Sequence, residues 1–289
     1  MSVTVFIQGR VVLAKDAMIS ILDRGFLFGD SIYETLACVH RKPVFLKEHL
    51  DRLERSGMRI GLQVPDPKTV ETAISEIVAA RENDDCRLRV IVTRGVGDLD
   101  LDPATANHPE LIIIASPINA PNHIMLTHGV TVEIVGFSRG TIGGMDPSVK
   151  SGNYLTSVLA IREARGRRPG VHEAILCTAD GQIAEGASSN VFVVRTGELL
   201  TPALSVGILE GVTRGKVIQL ANKAGIAVVE ATHLTAGELK QADEVFLTSA
   251  VRGVLPVTEV DGRHIGDGFP GPITLKLLTS YQRCIHGDG

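Results

Sequence analysis

Lys150, Glu185, the Gly211-Val212-Thr213 step and Arg52 are the residues whose types and surroundings can do chemistry together. Lys150 follows the glycine-rich stretch Gly140 to Gly144 and Pro147, which places it in a loop at the mouth of a helix. A lysine there is ordinarily a solvated charge. Walled by apolar groups or other cations, it sheds its proton and its amine attacks a carbonyl carbon. Glu185 lies between Ala184 and Gly186-Ala187. Alone it reads as an exposed turn acid. Aimed at a pyridine nitrogen, it keeps that nitrogen protonated, and the ring then draws electrons from a carbon losing a proton. Gly211-Val212-Thr213 opens a helix whose first N–H groups lack intrahelical partners, an end suited to phosphate, with a hydroxyl as an added donor. A simply capped helix is the plain alternative. Arg52 is either a solvated helix arginine or a planar, two-pronged phosphate ligand.

The elements that must position these residues follow from periodicity. Val3 to Ile7 and Arg10 to Leu13 flank Gln8-Gly9 as a hairpin. Tyr33 to Val39 is rich in strand formers, and a helix follows with Leu46, Leu50, Leu53, Gly57 and Ile60 on one face and Arg52 off that stripe. Asp66-Pro67 marks the start of a second helix. Strands are expected at Arg87 to Thr93 and Leu111 to Ala115, with a long polar loop from Gly95 between them. Pro117 to Asn122 interrupts the pattern as a linker. Beyond it come a strand at Val130 to Phe137, a helix from about Tyr154 to Ala164, and strands near Glu173 to Thr178 and Val191 to Val194. A helix from Val212 to Ala224 stops at Gly225. Strands at Ile226 to Glu230, Glu244 to Thr248 and Val254 to Val260 precede a closing helix from Pro272 to Cys284. Strands outnumber helices without regular alternation, which predicts an α+β protein rather than a doubly wound sheet.

Bulk properties narrow the function. A length of 289 residues allows one large domain or two smaller ones. A net charge of -4 gives no electrostatic case for nucleic acid or an anionic membrane. The cysteines Cys38, Cys86, Cys177 and Cys284 include no C-x-x-C pair, which favours free thiols over disulfides or zinc. No histidine pair has metal-ligand spacing, so no metal site is expected. G-x-S-x-G, H-E-x-x-H and the Walker loop are all missing. The N-terminus has no signal-peptide pattern and the longest apolar run, Leu111 to Ala115, is too short for a bilayer. A cytoplasmic location is expected.

Glu185-x-Ala187-x-x-Asn190-Val191-Phe192, Leu199-x-Thr201 and Leu209-x-Gly211-Val212-x-Arg214 fall in one register over thirty residues. That register resembles the class IV aminotransferases, fold type IV of the pyridoxal phosphate enzymes. Arg24 to Asp30 with Tyr33-Glu34, His49 to Leu53 and Asp243 to Leu247 extend the resemblance over nearly the whole chain. It implies an α+β, two-domain architecture: a small α/β domain over 1–117, a linker at 118–127 and a larger pseudo-barrel, cofactor-binding domain over 128–289. The implied cofactor is pyridoxal 5'-phosphate, carried by Lys150 as the catalytic base. Tyr154 then faces the cofactor's phenolic oxygen, Glu185 its ring nitrogen and Leu209 one face of its ring. Arg52, Val212, Thr213, Ser249 and Ala250 fall at phosphate-binding positions, with Ser188 also lining the cofactor. Ala250 departs from the threonine usual there, leaving only a backbone N–H.

The implied reaction is a ping-pong transamination between an amino acid and a 2-oxo acid. Ser151 to Leu155 and Gly97 to Pro103 resemble branched-chain amino acid aminotransferases. Arg24 to Glu34 is closer to D-amino acid aminotransferases, and Phe246 to Val257 to aminodeoxychorismate lyases. Branched-chain or aliphatic substrates with 2-oxoglutarate head the expectation. A D-amino acid transaminase, a lyase, an (R)-amine transaminase and an inactive binding homologue stand as alternatives. Ala37 sits where relatives carry a basic residue, so Arg89, Arg94 or Arg252, beside Tyr33, is expected to take the substrate carboxylate. The resemblance further implies a homodimer or a dimer-based higher oligomer.

Overall fold

The computed structural model describes residues 3–82, 85–138 and 146–287. The glycine-rich bend at Gly140 to Gly144 lies outside the described residues. The chain divides into two compact units, Met1–Asn119 with Val149–Asn153, and Ala120–Ser148 with Tyr154–Gly289. The residues around Lys150 thus belong to the first unit, whereas the sequence reading assigns everything from 128 onward to the second.

The first unit holds β1 (Thr4–Ile7), β2 (Arg10–Leu13), α1 (Arg24–Phe28), β3 (Ser31–Val39), β4 (Lys42–Pro43), α2 (Leu46–Arg59), α3 (Pro67–Ala79), β5 (Cys86–Thr93) and β6 (Glu110–Ser116). Its six strands form an antiparallel sheet in the order β2-β1-β6-β5-β3-β4. Alternation along β5 sends Leu88, Val90 and Val92 into a core with Leu53, Ile74 and Ile77 of the two long helices. Arg87, Arg89 and Ile91 take the other parity. Asp66 caps α3 by accepting from Lys68 N, with Pro67 in the first turn, as its sequence predicts. The segment around Lys150 adds to the free end of β3: Tyr33 N donates to Lys150 O at 2.9 Å and Gly152 N to Ser31 O at 2.9 Å.

The second unit holds α4 (His123–Thr127), β7 (Val130–Ser138), α5 (Leu155–Arg167), β8 (Glu173–Cys177), β9 (Ile183–Gly186), β10 (Asn190–Arg195), β11 (Glu198–Pro202), α6 (Val212–Lys223), β12 (Val228–Ala231), α7 (Ala236–Lys240), β13 (Glu244–Ser249), β14 (Gly253–Val260), β15 (Arg263–His264) and α8 (Pro272–His286). The main path of its sheet runs β12-β11-β10-β13-β14-β7-β8-β9, with β15 on β14. The pairs β11–β12, β14–β7 and β7–β8 are parallel and the rest antiparallel. The sheet curls: edge strand β9 turns straight into central strand β10 through a Gly186–Ser189 bridge, and Ile183 N donates to Leu234 O. Val191, Val193, Val245, Leu247 and Leu255 fill one side of the curl, and Phe192 stacks on its register partner Phe246 on the other parity at 4.9 Å. Glu185 lies on β9 and is buried, so the exposed turn acid is ruled out. Among the described residues no helix is long and apolar enough to cross a membrane.

Candidate active site

The residues singled out in the sequence fall into two groups, one per unit. In the first unit, Lys150 is tied to β3 through its carbonyl, and its N–H donates to Ser56 Oγ at 3.3 Å. Its Nζ stands 4.5 Å from the centroid of the buried Tyr33 ring, and the Arg89 guanidinium 4.1 Å from the same centroid. Burial, and then the charge of Arg87, push Arg89 below the usual arginine value.

Arg52 does not sit to the side of α2. It is buried with His49, Leu50 and Leu53 because Glu34 lies beneath it on β3. Its Nε and Nη2 each donate to a Glu34 oxygen at 2.7 Å, and His49 Nδ1 is 2.7 Å from Glu34 Oε2. Burial works against the Glu34 charge, but Arg52 and then His49 outweigh it and hold the carboxyl down at about 2.

Arg94 Nε donates to Asp30 at 2.7 Å, Nη1 to Gly61 O at 2.8 Å and Nη2 to Ile60 O at 3.0 Å, all in a buried setting. Each of its three nitrogens thus has a partner within the first unit. Asp30 also receives Arg24 Nε, and Arg24 Nη1 and Nη2 hold the carbonyls of Asp100 and Leu101.

In the second unit, Glu185 Oε2 accepts from Leu209 N at 3.1 Å and from Asn190 Nδ2 at 3.3 Å, while Asn190 Nδ2 also donates to Leu209 O at 2.9 Å. One amide side chain and one peptide unit therefore fix a buried carboxylate. Gly211 is required here, because a Cβ at that position would run into Asn190 Oδ1. Val212 and Thr213 open α6, which has no side-chain cap. Thr213 is 3% exposed, and among the described residues its Oγ1 meets no hydrogen-bond partner within ordinary limits, although the Tyr281 phenol lies close enough to interact with it. Tyr154 immediately precedes α5, and its phenol is raised by burial first, then by Glu173 and Glu185.

Ser188, Ser249 and Arg252 meet in one cluster with Glu173, which is 1% exposed. Arg252 Nε donates to Ser249 Oγ at 3.0 Å, and Nη2 to Ser188 Oγ at 2.8 Å and Glu173 Oε2 at 3.0 Å. Arg252 Nη1 lies 3.2 Å from His172 Nε2, which accepts as a neutral ring, since burial and then Arg252 push His172 below its usual value. Ser188 Oγ passes its own hydrogen to Glu173 at 2.7 Å. The half-buried Arg252 guanidinium is thus engaged by Ser249, Ser188, Glu173 and His172, and the exposed Ser188 hydroxyl is shared between Glu173 and Arg252. Ala250 follows Ser249 in the turn after β13.

Sequence reasoning missed roles for Glu34, His49, Glu173 and Asn190. The i, i+3 spacing of His49 and Arg52 puts both on one helix face, and Glu173 is an acid opening a strand that continues Ala174-Ile175-Leu176. Both signals were readable. Taken together, a buried carboxylate fixed by two donors and an uncapped helix start with an orphaned buried hydroxyl fit a phosphorylated pyridine ring.

The family model described as amino-transferase class IV matches residues 31–260. A Methanocaldococcus jannaschii protein assigned as a branched-chain-amino-acid aminotransferase is 37% identical over 279 residues, covering 96% of this chain and 95% of that one. A D-alanine aminotransferase of Bacillus licheniformis is 32% identical, covering 97% of this chain and 96% of that one. Among solved structures, the branched-chain aminotransferase of the thermophilic archaeon Thermoproteus uzoniensis with norvaline superposes with a TM-score of 0.90 at 32% identity, covering 99% of this chain and 96% of that one. With the register from Glu185 to Arg214 carried on a curled sheet of the same fold, this chain belongs to the class IV aminotransferase family.

Proposed function

We propose that the protein uses pyridoxal 5'-phosphate to move an amino group between a branched-chain or other aliphatic amino acid and a 2-oxo acid such as 2-oxoglutarate. The observation that carries this reading is the buried Glu185 carboxylate, fixed by Asn190 and Leu209, which suits a permanent acceptor for a ring nitrogen. When bound, the cofactor supplies the electron sink for removing the substrate's α-proton. Lys150 Nζ would hold the cofactor and would take the proton that leaves the substrate α-carbon. Val212 and Thr213 at the start of α6, Arg52, Ser249 and the Ala250 N–H would hold the phosphate. Leu209 would support the ring and Tyr154 would face its phenolic oxygen.

Arg89 is the arginine we assign to the substrate carboxylate, because of its place beside Tyr33 and Lys150. It and Lys150 flank the same Tyr33 ring, which places a cation and the amine on one side chain's surface. The names borne by the Methanocaldococcus jannaschii and Thermoproteus uzoniensis relatives support branched-chain substrates. D-amino acids form the second reading, favoured by the similarity to a D-alanine aminotransferase.

The reading includes a homodimer in the cytoplasm. Met18 and Ile21 are 76% and 75% exposed, and Leu99 and Leu101 are 74% and 77% exposed; Arg24 holds the latter pair's loop through Asp100 and Leu101. Apolar surface of that density in one unit is characteristic of a covered face.

Purified protein given pyridoxal 5'-phosphate should gain a visible absorbance band, and Lys150→Ala should not. A panel of L- and D-amino acids and (R)-amines with 2-oxoglutarate or pyruvate should show highest turnover with L-branched-chain donors. Absence of the band in the unaltered protein sinks the cofactor reading, and preference for D-alanine replaces the first substrate reading by the second. Sedimentation should give a dimer; a fully active monomer refutes the assembly.

A further inference from the structure

We propose that Arg252, held in place by Glu173, is a positioning residue that sets the Ser249 hydroxyl as a phosphate donor and so governs the affinity for the cofactor's phosphate. The inference rests on the cofactor reading above and deepens it.

Arginine has hydrogen-bond donors and no acceptor. The 3.0 Å contact from Arg252 Nε therefore occupies a lone pair of Ser249 Oγ and directs that hydroxyl's one hydrogen elsewhere. A serine polarised in this way is a stronger donor to an anion. The guanidinium cannot swing to relax the arrangement. Its Nη2 is tied to Glu173 Oε2 at 3.0 Å, to Ser188 Oγ at 2.8 Å and to Ser188 O at 3.2 Å, while Nη1 faces His172 Nε2 at 3.2 Å. Glu173 is itself fixed. Its Oε2 receives Ser188 Oγ at 2.7 Å and Ser189 Oγ at 3.3 Å, and its Oε1 receives Ala174 N at 3.3 Å.

The brace joins two separate segments. Ser188 lies in the turn between β9, which carries Glu185, and β10, whereas Ser249 ends β13 and Ala250 opens the turn that follows. One planar cation locks the turn after the proposed ring-nitrogen acceptor to the proposed phosphate turn. A lysine has the charge but not the fork, so it cannot hold Ser249, Ser188 and Glu173 at once.

The test titrates the full chain, stripped of cofactor, with pyridoxal 5'-phosphate and separately with pyridoxal, which lacks the phosphate. Visible absorbance reads binding, and the melting temperature of the stripped protein reads folding. Arg252→Met is expected to weaken pyridoxal 5'-phosphate binding about 10- to 100-fold, the size of a lost charge-assisted hydrogen bond. Pyridoxal binding should change less than about 2-fold on the same grounds. Arg252→Lys should recover only a small part of the loss. Glu173→Gln, which keeps Arg252 and loosens its anchor, should show a smaller loss with the same phosphate selectivity. Equal losses for both probes, no loss for either, or full recovery by lysine overturn the positioning role. Should Arg252→Met fail to fold, the lysine and Glu173→Gln variants decide by the same ratio. Failure of the unaltered protein to bind either probe sinks the cofactor reading itself, and this inference with it.

Discussion

Arg52 and Glu34 meet as a fork on a carboxylate, with Nε and Nη2 each 2.7 Å from a different oxygen, and both side chains are buried. The pair joins α2 to β3, and Tyr33, the residue before Glu34, receives both Lys150 and Arg89 on its ring. Removing one partner strands the other's charge in the core.

Glu34→Gln is therefore expected to destabilise the protein by about 3–5 kcal/mol, the cost of breaking a buried pair from one side. Urea denaturation followed by circular dichroism checks this. A loss near zero would mean that Arg52 finds solvent or another partner without cost.

The same carboxyl predicts an acid limb of stability. Its value is lowered on folding, from 4.5 to about 2. The unfolded chain thus binds this proton more readily than the folded one. The contribution is fully present above about pH 4.5 and disappears as the pH falls through about 2. The drop corresponds to something on the order of 3 kcal/mol. Denaturation midpoints between pH 5 and pH 2 should fall steeply for the natural sequence and less steeply for Glu34→Gln; parallel curves would assign the limb to other acids.

Arg89→Gln separates binding from chemistry. Losing a carboxylate ligand that acts equally in ground and transition states raises KM for the amino acid and the 2-oxo acid by about 10-fold or more, with kcat little changed. Steady-state kinetics on both half-reactions reads it. A fall in kcat at unchanged KM would move Arg89 from substrate binding to support of Lys150 through the Tyr33 ring.

Thr213→Val tests the start of α6. The hydroxyl is buried and meets no hydrogen-bond partner within ordinary limits among the described residues, so replacing it by a methyl group of the same shape leaves the stripped protein as stable as before or about 1 kcal/mol more stable. Binding of pyridoxal 5'-phosphate should weaken about 10-fold, since the ligand then loses a charge-assisted bond. Thermal melts with and without the cofactor give both numbers. Destabilisation of the stripped form would show that the hydroxyl already has a structural partner.

Local signals are legible where the physics is local. Asp66-Pro67 marks the start of α3, and the alternation of Leu88, Val90 and Val92 marks β5. The register from Glu185 to Arg214 is also legible, because Asn190 and Gly211 pack against each other beside Glu185 within one stretch of chain. What fails depends on distant partners. Arg52 reads as lying beside its helix because Glu34 is 18 residues upstream on a strand. The partners of Arg94 and Arg252 do not show in their sequence neighbourhoods: they are Gly61 and Ile60, 33 and 34 residues away, and Glu173, 79 residues away. The segment around Lys150 joins the first unit because its backbone pairs with β3, a register no local pattern encodes.

Asn190 and Gly211 give the sharpest test of how Glu185 is held. Asn190 Nδ2 bridges Glu185 Oε2 and Leu209 O, and its Oδ1 occupies the space a Cβ on Gly211 would take. Asn190→Ala removes a donor that fixes the carboxylate, so kcat should fall about 10- to 100-fold while the visible band still forms. Gly211→Ala pushes the same amide aside and should give the same fall by a different route. Because both changes act on one contact, the double variant should be no slower than either single variant, a coupling as large as the single effects themselves. Glu185→Ala sets the floor, since no adjustment of Asn190 matters once its acceptor is gone. Rates that multiply in the double variant would show that Gly211 acts on the start of α6 independently of Asn190.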